Sequence, residues 1–344
     1  MVIFNFENME LAIVVNFVFL LYVVFIHKSV LRSVPHGISI DSCNCLKGLI
    51  AISVVLHHIA QSWDVFILKE LFGPLGSVAV GCFFFISGYG LYTSYSIKKQ
   101  SYLDGFILKR FRKLIVPFIF VILLYQLVNQ GSYEKIFSGL VVGNSDYLLP
   151  YSWYIFCAIL FYYAFYCIFK YILNEKIKIF SVFIFTLIFY FVLRFILNWP
   201  GFWSGSLFLF PIGVFFKYSE RYLKKMFGLH IIMFSLWITT LIIILYLTNI
   251  KYIGIIEICC SSFAIILPLT ILNISSKNLI FLGSISYEIY LVQGIIFYLL
   301  RRNNVGNNIS FVFMSVGFII VLACIVKCIL KYIDNKLFRS YKYC

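Results

Sequence analysis

Apolar runs of bilayer-spanning length recur from one end of the chain to the other, and they limit its fold more than any other feature. A bilayer core requires about 20 apolar residues of helix. Of the 344 residues, 62% are hydrophobic and only 12% are charged, whereas soluble domains carry about 25% charged residues. A chain in lipid must satisfy its backbone hydrogen bonds internally, as helices do. We therefore predict an all-α, polytopic integral membrane helical bundle.

The apolar periodicity predicts about eleven spans. The first span lacks the basic start and the small-residue cleavage site of a signal peptide, so we expect it to be retained as a helix. The predicted spans cover residues 9–27, 46–63, 74–96, 114–130, 152–172, 178–198, 203–217, 227–249, 252–272, 283–300 and 309–330.

The basic residues predict the orientation of this bundle, because lysine and arginine concentrate in cytoplasmic loops. With the N-terminus outside, 22 of the 28 basic residues fall on the cytoplasmic side, and the C-terminus is also cytoplasmic. The remaining basic residues are Lys69, Lys135, Arg194, Lys251, Arg301 and Arg302. The net charge of +15 is therefore explained by membrane orientation. We expect no nucleic-acid partner, since that requires a folded basic face.

The stretch KGLIAISVVLHH, residues 47–58, places ionisable groups inside an apolar run, where they are costly and mark functional sites. Lys47 and His58 are eleven residues apart, so they lie within about 20° on one helix face and about 16 Å apart along the axis. His57 is rotated by about 100° and is expected to face elsewhere. His58 is a candidate proton acceptor for a hydroxyl. The alternative is a histidine that only hydrogen-bonds to a neighbouring helix.

Four cations precede the fourth span, in the stretch LKRFRKLIVPF of residues 108–118. Arginine forks bind phosphate oxygens in pairs. The cluster therefore predicts a site for a phosphorylated ligand, and the alternative is a basic anchor that only sets the orientation. The four cations are Lys109, Arg110, Arg112 and Lys113.

Two acidic residues, Glu257 and Glu288, also fall inside predicted spans. Each is expected to face the interior of the bundle. Either acid could orient a histidine, pair with Arg194, or be held neutral by burial. The ten cysteines mostly lie in apolar runs, and the pair Cys43 and Cys45 has no second group at zinc-ligand spacing, so we expect no metal.

Together, these segments resemble the acyltransferase-3 family of integral membrane acyltransferases, which modify bacterial surface polysaccharides and related glycans. The family's core begins with a helix in which Arg or Lys is followed, after ten residues, by His; this selects Lys47 and His58. A Phe-rich Ser-Gly helix follows, matched by FFFISGYGLYTS of residues 83–94. Lys47 stands where arginine is commoner, and Gln293 stands where many members have histidine.

Further motifs follow in the family's order. A phenylalanine, two basic residues three apart and a proline are matched by Phe106, Arg110, Lys113 and Pro117. The stretches SWY of residues 152–154 and LGSISYEIYLVQ of residues 282–293 also match. The resemblance covers about residues 38–335 and implies a ten-helix acyltransferase domain without an added hydrolase-like domain. Residues 1–37 then form an additional N-terminal helix and linker, and residues 336–344 form a cytoplasmic tail.

The resemblance implies transfer of an acetyl or other short acyl group from cytoplasmic acetyl-CoA to a hydroxyl of a surface polysaccharide or its lipid-linked precursor. The enzyme would lie in the bacterial cytoplasmic membrane. His58 would be the general base or a transient acyl carrier, and the candidate catalytic residues are His58, His57 and Glu288. Acyl-CoA would bind to Lys47, Arg110, Arg112, Lys113, Ser87 and Gly88. The alternative is an exporter or flippase that transfers no acyl group.

Overall fold

The computed structural model describes residues 37–62, 72–73, 75–129, 139, 143–223, 238–239, 254–270, 274–303, 305 and 309–338. All regular secondary structure in these ranges is helical, which confirms the all-α prediction. The helices are α1 (Ile40–Ser62), α2 (Leu75–Lys98), α3 (Phe106–Asn129), α4 (Trp153–Tyr171), α5 (Glu175–Phe191), α6 (Leu209–Leu223), α7 (Gly254–Ile266), α8 (Lys277–Ser284), α9 (Ser286–Arg302) and α10 (Ile309–Phe338).

Within the described ranges, six helices are long and apolar enough to cross a bilayer. Helices α8 and α9 form a seventh such unit, bent by 68° between Ser284 and Ser286. This arrangement confirms a polytopic membrane helical bundle. The predicted span 9–27 lies outside the described residues, as does 227–249 apart from residues 238–239, so the number eleven stays a prediction.

Helix α2 is the most buried of the bilayer-length helices that the structure describes. Of its most apolar stretch, 78% is buried within the protein, whereas the corresponding stretches of α3, α5 and α10 are 22% buried. Those three helices therefore leave most of their apolar stretches unburied in the structure.

Glycines allow α2 to approach α6 closely. A Cβ added to Gly88 would overlap the backbone carbonyl of Phe210, and one added to Gly213 would overlap that of Phe85. Small residues permit this kind of backbone contact between membrane helices. The contact gives Gly88 a packing function, while its predicted part in ligand binding stays a prediction.

Helix α1 is held at its start by capping and by contact with α8. The Ser39 hydroxyl accepts a hydrogen bond from the Ser42 backbone N–H at 3.1 Å, as a helix-capping residue does. The backbone N–H of Ile274 donates to the Ser42 hydroxyl at 2.9 Å. A Cβ on Gly283 of α8 would overlap the Asn44 backbone. These contacts fix α1, and so the position of the histidines near its end.

Candidate functional site

A cavity of about 250 Å³ lies at the end of α1 that carries the two histidines. Its walls come from α1, the beginning of α2, the segment before and into α4, the connection before α6, and α9. It is lined by Val54, His57, His58, Gln61, Gly76, Ser77, Val80, Asp146, Tyr151, Trp153, Phe202 and Tyr290.

Both histidines line this cavity, so the expectation that His57 faces elsewhere is wrong. Their rings meet edge to face, with centroids 4.9 Å apart. The two imidazoles lie at one cavity because Gln61 hydrogen-bonds to both of them. Gln61 follows His57 by four residues and His58 by three, and side chains at these spacings are neighbours on a helix surface.

Hydrogen bonds link these three side chains in series. His57 Nδ1 lies 3.0 Å from the backbone carbonyl oxygen of Phe72. His57 Nε2 lies 3.0 Å from Gln61 Nε2. Gln61 Oε1 in turn lies 3.1 Å from His58 Nδ1. His58 is buried, with only 8% of its surface exposed. The Nδ1 edge of its imidazole faces Gln61.

Tyr151 covers the face of His58. The two rings are stacked, with centroids 3.7 Å apart and planes inclined by 21°. Tyr151 has a φ of 66°, in the left-handed region that a bulky residue rarely adopts. Two bonds hold this conformation: its N–H donates to Asp146 Oδ1 at 2.9 Å, and its carbonyl accepts from the Tyr290 hydroxyl. Strained residues of this kind cluster at active sites.

The hydroxyl of Tyr151 remains protonated at neutral pH. Burial raises the pKa of this phenol above its usual value, and the neighbouring Arg301 opposes that effect and hydrogen-bonds to the hydroxyl. Tyr151 was not among the sequence candidates. The signal that could have found it is its place directly before the SWY motif at Ser152.

The rest of the cavity wall combines aromatic rings with a carboxylate. Trp153 packs against Phe202 with ring centroids 5.7 Å apart. Asp146 is exposed and its carboxylate reaches the same space. Three residues before Asp146, the carbonyl of Gly143 accepts a hydrogen bond from the buried Trp203 indole at 2.7 Å. An exposed carboxylate among aromatic rings suits a polar ligand with apolar faces.

Lys47 lies on the same helix as His58 but towards the other end. Because α1 is continuous from Ile40 to Ser62, the expected separation of about 16 Å along its axis holds. The Lys47 ammonium group donates to Asn44 Oδ1 at 3.4 Å.

The basic cluster on α3 divides into inward and outward groups around a π-helical turn, Phe111–Ile115. Arg110 points inward: its guanidinium donates to the Tyr102 hydroxyl at 2.6 Å and lies 5.1 Å from the ring centroid of Tyr162. The Tyr162 hydroxyl lies 3.4 Å from Ser87 Oγ. Arg110 and Ser87 therefore both contact the side chain of Tyr162.

The other cations of the cluster lie apart from that contact. Arg112 forms an ion pair with Asp334 of α10 at 2.6 Å. Lys109 donates to the Asp104 carbonyl at 2.8 Å, and Lys113 is exposed.

Glu288 lies in the first turn of α9, and it is not one of the described residues that line the cavity. Tyr290, two residues later and about 200° around the helix, lines it instead. The structure therefore does not bring Glu288 together with His58. Arg194 is exposed and donates to the Trp199 carbonyl at 3.4 Å.

A family model described as an acyltransferase domain, Acyl_transf_3, matches residues 40–330. The chain belongs to this family. The match confirms the resemblance found in the sequence motifs, and it shows a membrane acyltransferase. The acyltransferase domain includes every residue that lines the cavity, from Val54 to Tyr290. Comparison of the acyltransferase with curated proteins and with solved structures finds no match.

Proposed function

We propose that this acyltransferase moves an acetyl or other short acyl group from cytoplasmic acyl-CoA to a hydroxyl of a cell-surface polysaccharide or its lipid-linked precursor. The observation that carries the proposal is the buried His58 ring, which lines a cavity together with aromatic rings and the Asp146 carboxylate. A hydroxyl group seated there has a proton acceptor within reach.

The chemistry of the cavity wall supports a sugar as the acceptor. The rings of Trp153 and Phe202 can pack against the C–H faces of a sugar, while Asp146 accepts hydrogen bonds from its hydroxyl groups. A volume of about 250 Å³ is small for a ligand pocket, since drug-sized ligands occupy about 300–1,000 Å³. It suits one sugar residue of a longer acceptor.

The donor would enter from the opposite end of α1. With the Lys47 end in the cytoplasm, as the distribution of basic residues predicts, Lys47, Arg110 and Lys113 supply positive charge for the phosphates of CoA. Arg112, paired with Asp334, and Ser87 with Gly88 on α2 complete the predicted acyl-CoA site. The flexible pantetheine arm would extend along α1 and present the thioester to the cavity.

In the proposed reaction, His58 removes the proton from the acceptor hydroxyl as its oxygen attacks the thioester carbon. The tetrahedral intermediate expels the CoA thiolate, which takes up a proton from the imidazolium, and the ester is formed. The alternative course, in which His58 first carries the acyl group itself, uses the same residue as nucleophile.

Purified protein in lipid vesicles tests the proposal. Wild-type protein should consume acetyl-CoA and release CoA in the presence of membrane glycan extracts, and mass spectrometry should detect the acetylated sugar. His58→Ala should abolish this transfer while the protein level and thermal unfolding temperature stay unchanged. Full transfer by His58→Ala would overturn the assignment, and absence of acetyl-CoA binding by the wild type would favour the exporter or flippase alternative.

A further inference from the structure

A chain of hydrogen bonds links Phe72 to His58, and in each of these bonds the donor and the acceptor can be assigned. A backbone carbonyl oxygen can only accept a hydrogen bond. His57 Nδ1, 3.0 Å from the Phe72 carbonyl oxygen, must therefore carry a proton and donate it.

This assignment determines the donor and the acceptor in the next two hydrogen bonds. In a neutral imidazole with a proton on Nδ1, Nε2 carries the lone pair. His57 Nε2 therefore accepts from the amide nitrogen of Gln61 at 3.0 Å. That bond sets the orientation of the amide, because its nitrogen must face His57 and its oxygen must face His58. Gln61 Oε1, 3.1 Å away, can only accept, so His58 Nδ1 must donate.

We propose that His57 and Gln61 are positioning residues that hold His58 in the tautomer with its proton on Nδ1. This inference rests on the proposed function, in which His58 acts on the acceptor hydroxyl. It assigns Nε2 of His58 as the nitrogen that takes the proton. A third group that fixes a catalytic histidine in one tautomer is a general requirement of such sites, and a carboxylate often provides it.

The bonding remains compatible with each step of the reaction. As the acceptor O–H bond breaks, the proton goes to His58 Nε2 and the oxygen's electron pair goes to the thioester carbon. The imidazolium still donates from Nδ1 to Gln61 Oε1, so no hydrogen bond of the chain breaks. When the C–S bond breaks, the thiolate receives the proton from Nε2 and His58 returns to its first tautomer.

Packing keeps His57 in the required rotamer. A Cβ added to Gly76, at the beginning of α2, would overlap the His57 ring. The ring is thus confined between Gly76 and Gln61, with its Nδ1 edge on Phe72.

Two amide variants of His57 separate this function from simple anchoring. The amide of Gln can occupy the place of histidine Nε2 and accept from Gln61, whereas the amide of Asn can occupy the place of Nδ1 and donate to Phe72. We expect His57→Gln to retain kcat within about tenfold and His57→Asn to lower it about 100-fold, with an unchanged KM for acetyl-CoA. Anchoring of the Phe72 segment alone predicts the opposite order, and that order would overturn the proposal.

A second pair of variants tests Gln61. Gln61→Glu keeps an acceptor for His58 Nδ1 and should retain most of kcat, while Gln61→Met offers no acceptor and should lower kcat about 100-fold. Equal kcat values in the two variants would contradict the inference.

Nitrogen-15 NMR of labelled histidine in vesicles reports the tautomer directly, with the His58→Ala spectrum giving the assignment. Wild-type His58 should show a protonated Nδ1 and an unprotonated Nε2, and Gln61→Met should change that pattern. The reverse tautomer in wild-type protein would overturn the inference even where a variant fails to fold. Failure of the proposed function is distinct, because it would appear as acyl transfer by His58→Ala or as no transfer by the wild type.

Discussion

Tyr151 lies flat against His58, with ring centroids 3.7 Å apart, and its backbone has a φ of 66°. The stacked ring and the left-handed backbone belong to the same residue, in the turn directly before α4 begins at Trp153. Asp146 and Tyr290 hold the backbone of Tyr151 from both sides through its N–H and its carbonyl.

Replacement of Tyr151 should separate backbone strain from ring stacking. A non-glycine residue in the left-handed region costs about 1–2 kcal/mol, so Tyr151→Gly should be more stable than Tyr151→Ala by about that amount. Both variants lose a stacking contact of about 0.5–1.5 kcal/mol, so both should lower kcat roughly two- to twelvefold. Thermal unfolding and acetyl transfer measure the two effects. Tyr151→Phe is the control, since it keeps the ring, and a full loss of activity in it would assign the function to the hydroxyl.

Some parts of this site follow from the sequence and others do not. The alignment of Lys47 with His58 needs only the period of a continuous helix, and α1 is continuous over that stretch. Gln61 gave no signal, because a polar residue near the end of a span is ordinary. Its function depends on the carbonyl of Phe72, which belongs to a separate segment of backbone.

Ion pairs between residues far apart in the chain could not be predicted from the sequence either. Arg112 and Asp334 are separated by 222 positions, and only the packing of α3 near α10 brings them together. The left-handed backbone of Tyr151 also has no sequence signature, since glycine or asparagine usually occupies such positions. Bulk apolar patterning therefore predicted the helices, whereas contacts between distant segments determined which polar residues share a site.

The two arginines of the α3 cluster should differ in their effect on the acyl donor. Arg110→Lys loses the planar fork but keeps the charge, so the KM for acetyl-CoA should rise several-fold. Arg112 is already paired with Asp334, and this partly exposed pair should contribute less than about 1 kcal/mol to stability.

Asp334→Asn provides the matched test of Arg112. If Arg112 also binds a phosphate of acyl-CoA, loss of the competing carboxylate should lower the KM for acetyl-CoA. An unchanged KM would leave Arg112 as a link between α3 and α10. Initial rates over a range of acetyl-CoA concentrations distinguish the two results.

Gly88 offers a direct test of helix packing. Gly88→Ala would place a methyl group onto the Phe210 carbonyl, and we expect it to destabilise the bundle by about 1–3 kcal/mol. Gly90→Ala on the same helix is the control, because a Cβ there meets nothing within 4 Å. Thermal unfolding in detergent should show a lower midpoint for Gly88→Ala only. A raised KM for acetyl-CoA at an unchanged midpoint would instead support a ligand contact at Gly88.

Asp146 holds the Tyr151 backbone and, in the proposed function, also binds the acceptor; a pair of variants can separate the two. Asp146→Asn keeps an oxygen that accepts from the Tyr151 N–H but removes the negative charge that, in the proposed function, binds a sugar hydroxyl. A hydrogen bond to a charged group contributes about 1 kcal/mol more than a neutral one, so the acceptor KM should rise about five- to tenfold with kcat nearly unchanged. Asp146→Ala removes both contacts and releases the Tyr151 backbone. It should therefore lower kcat as well as weaken acceptor binding, and steady-state kinetics with varied glycan acceptor measures both constants. An unchanged acceptor KM in Asp146→Asn would show that the sugar binds elsewhere. Asp146 would then only hold Tyr151 in its stacked position against His58.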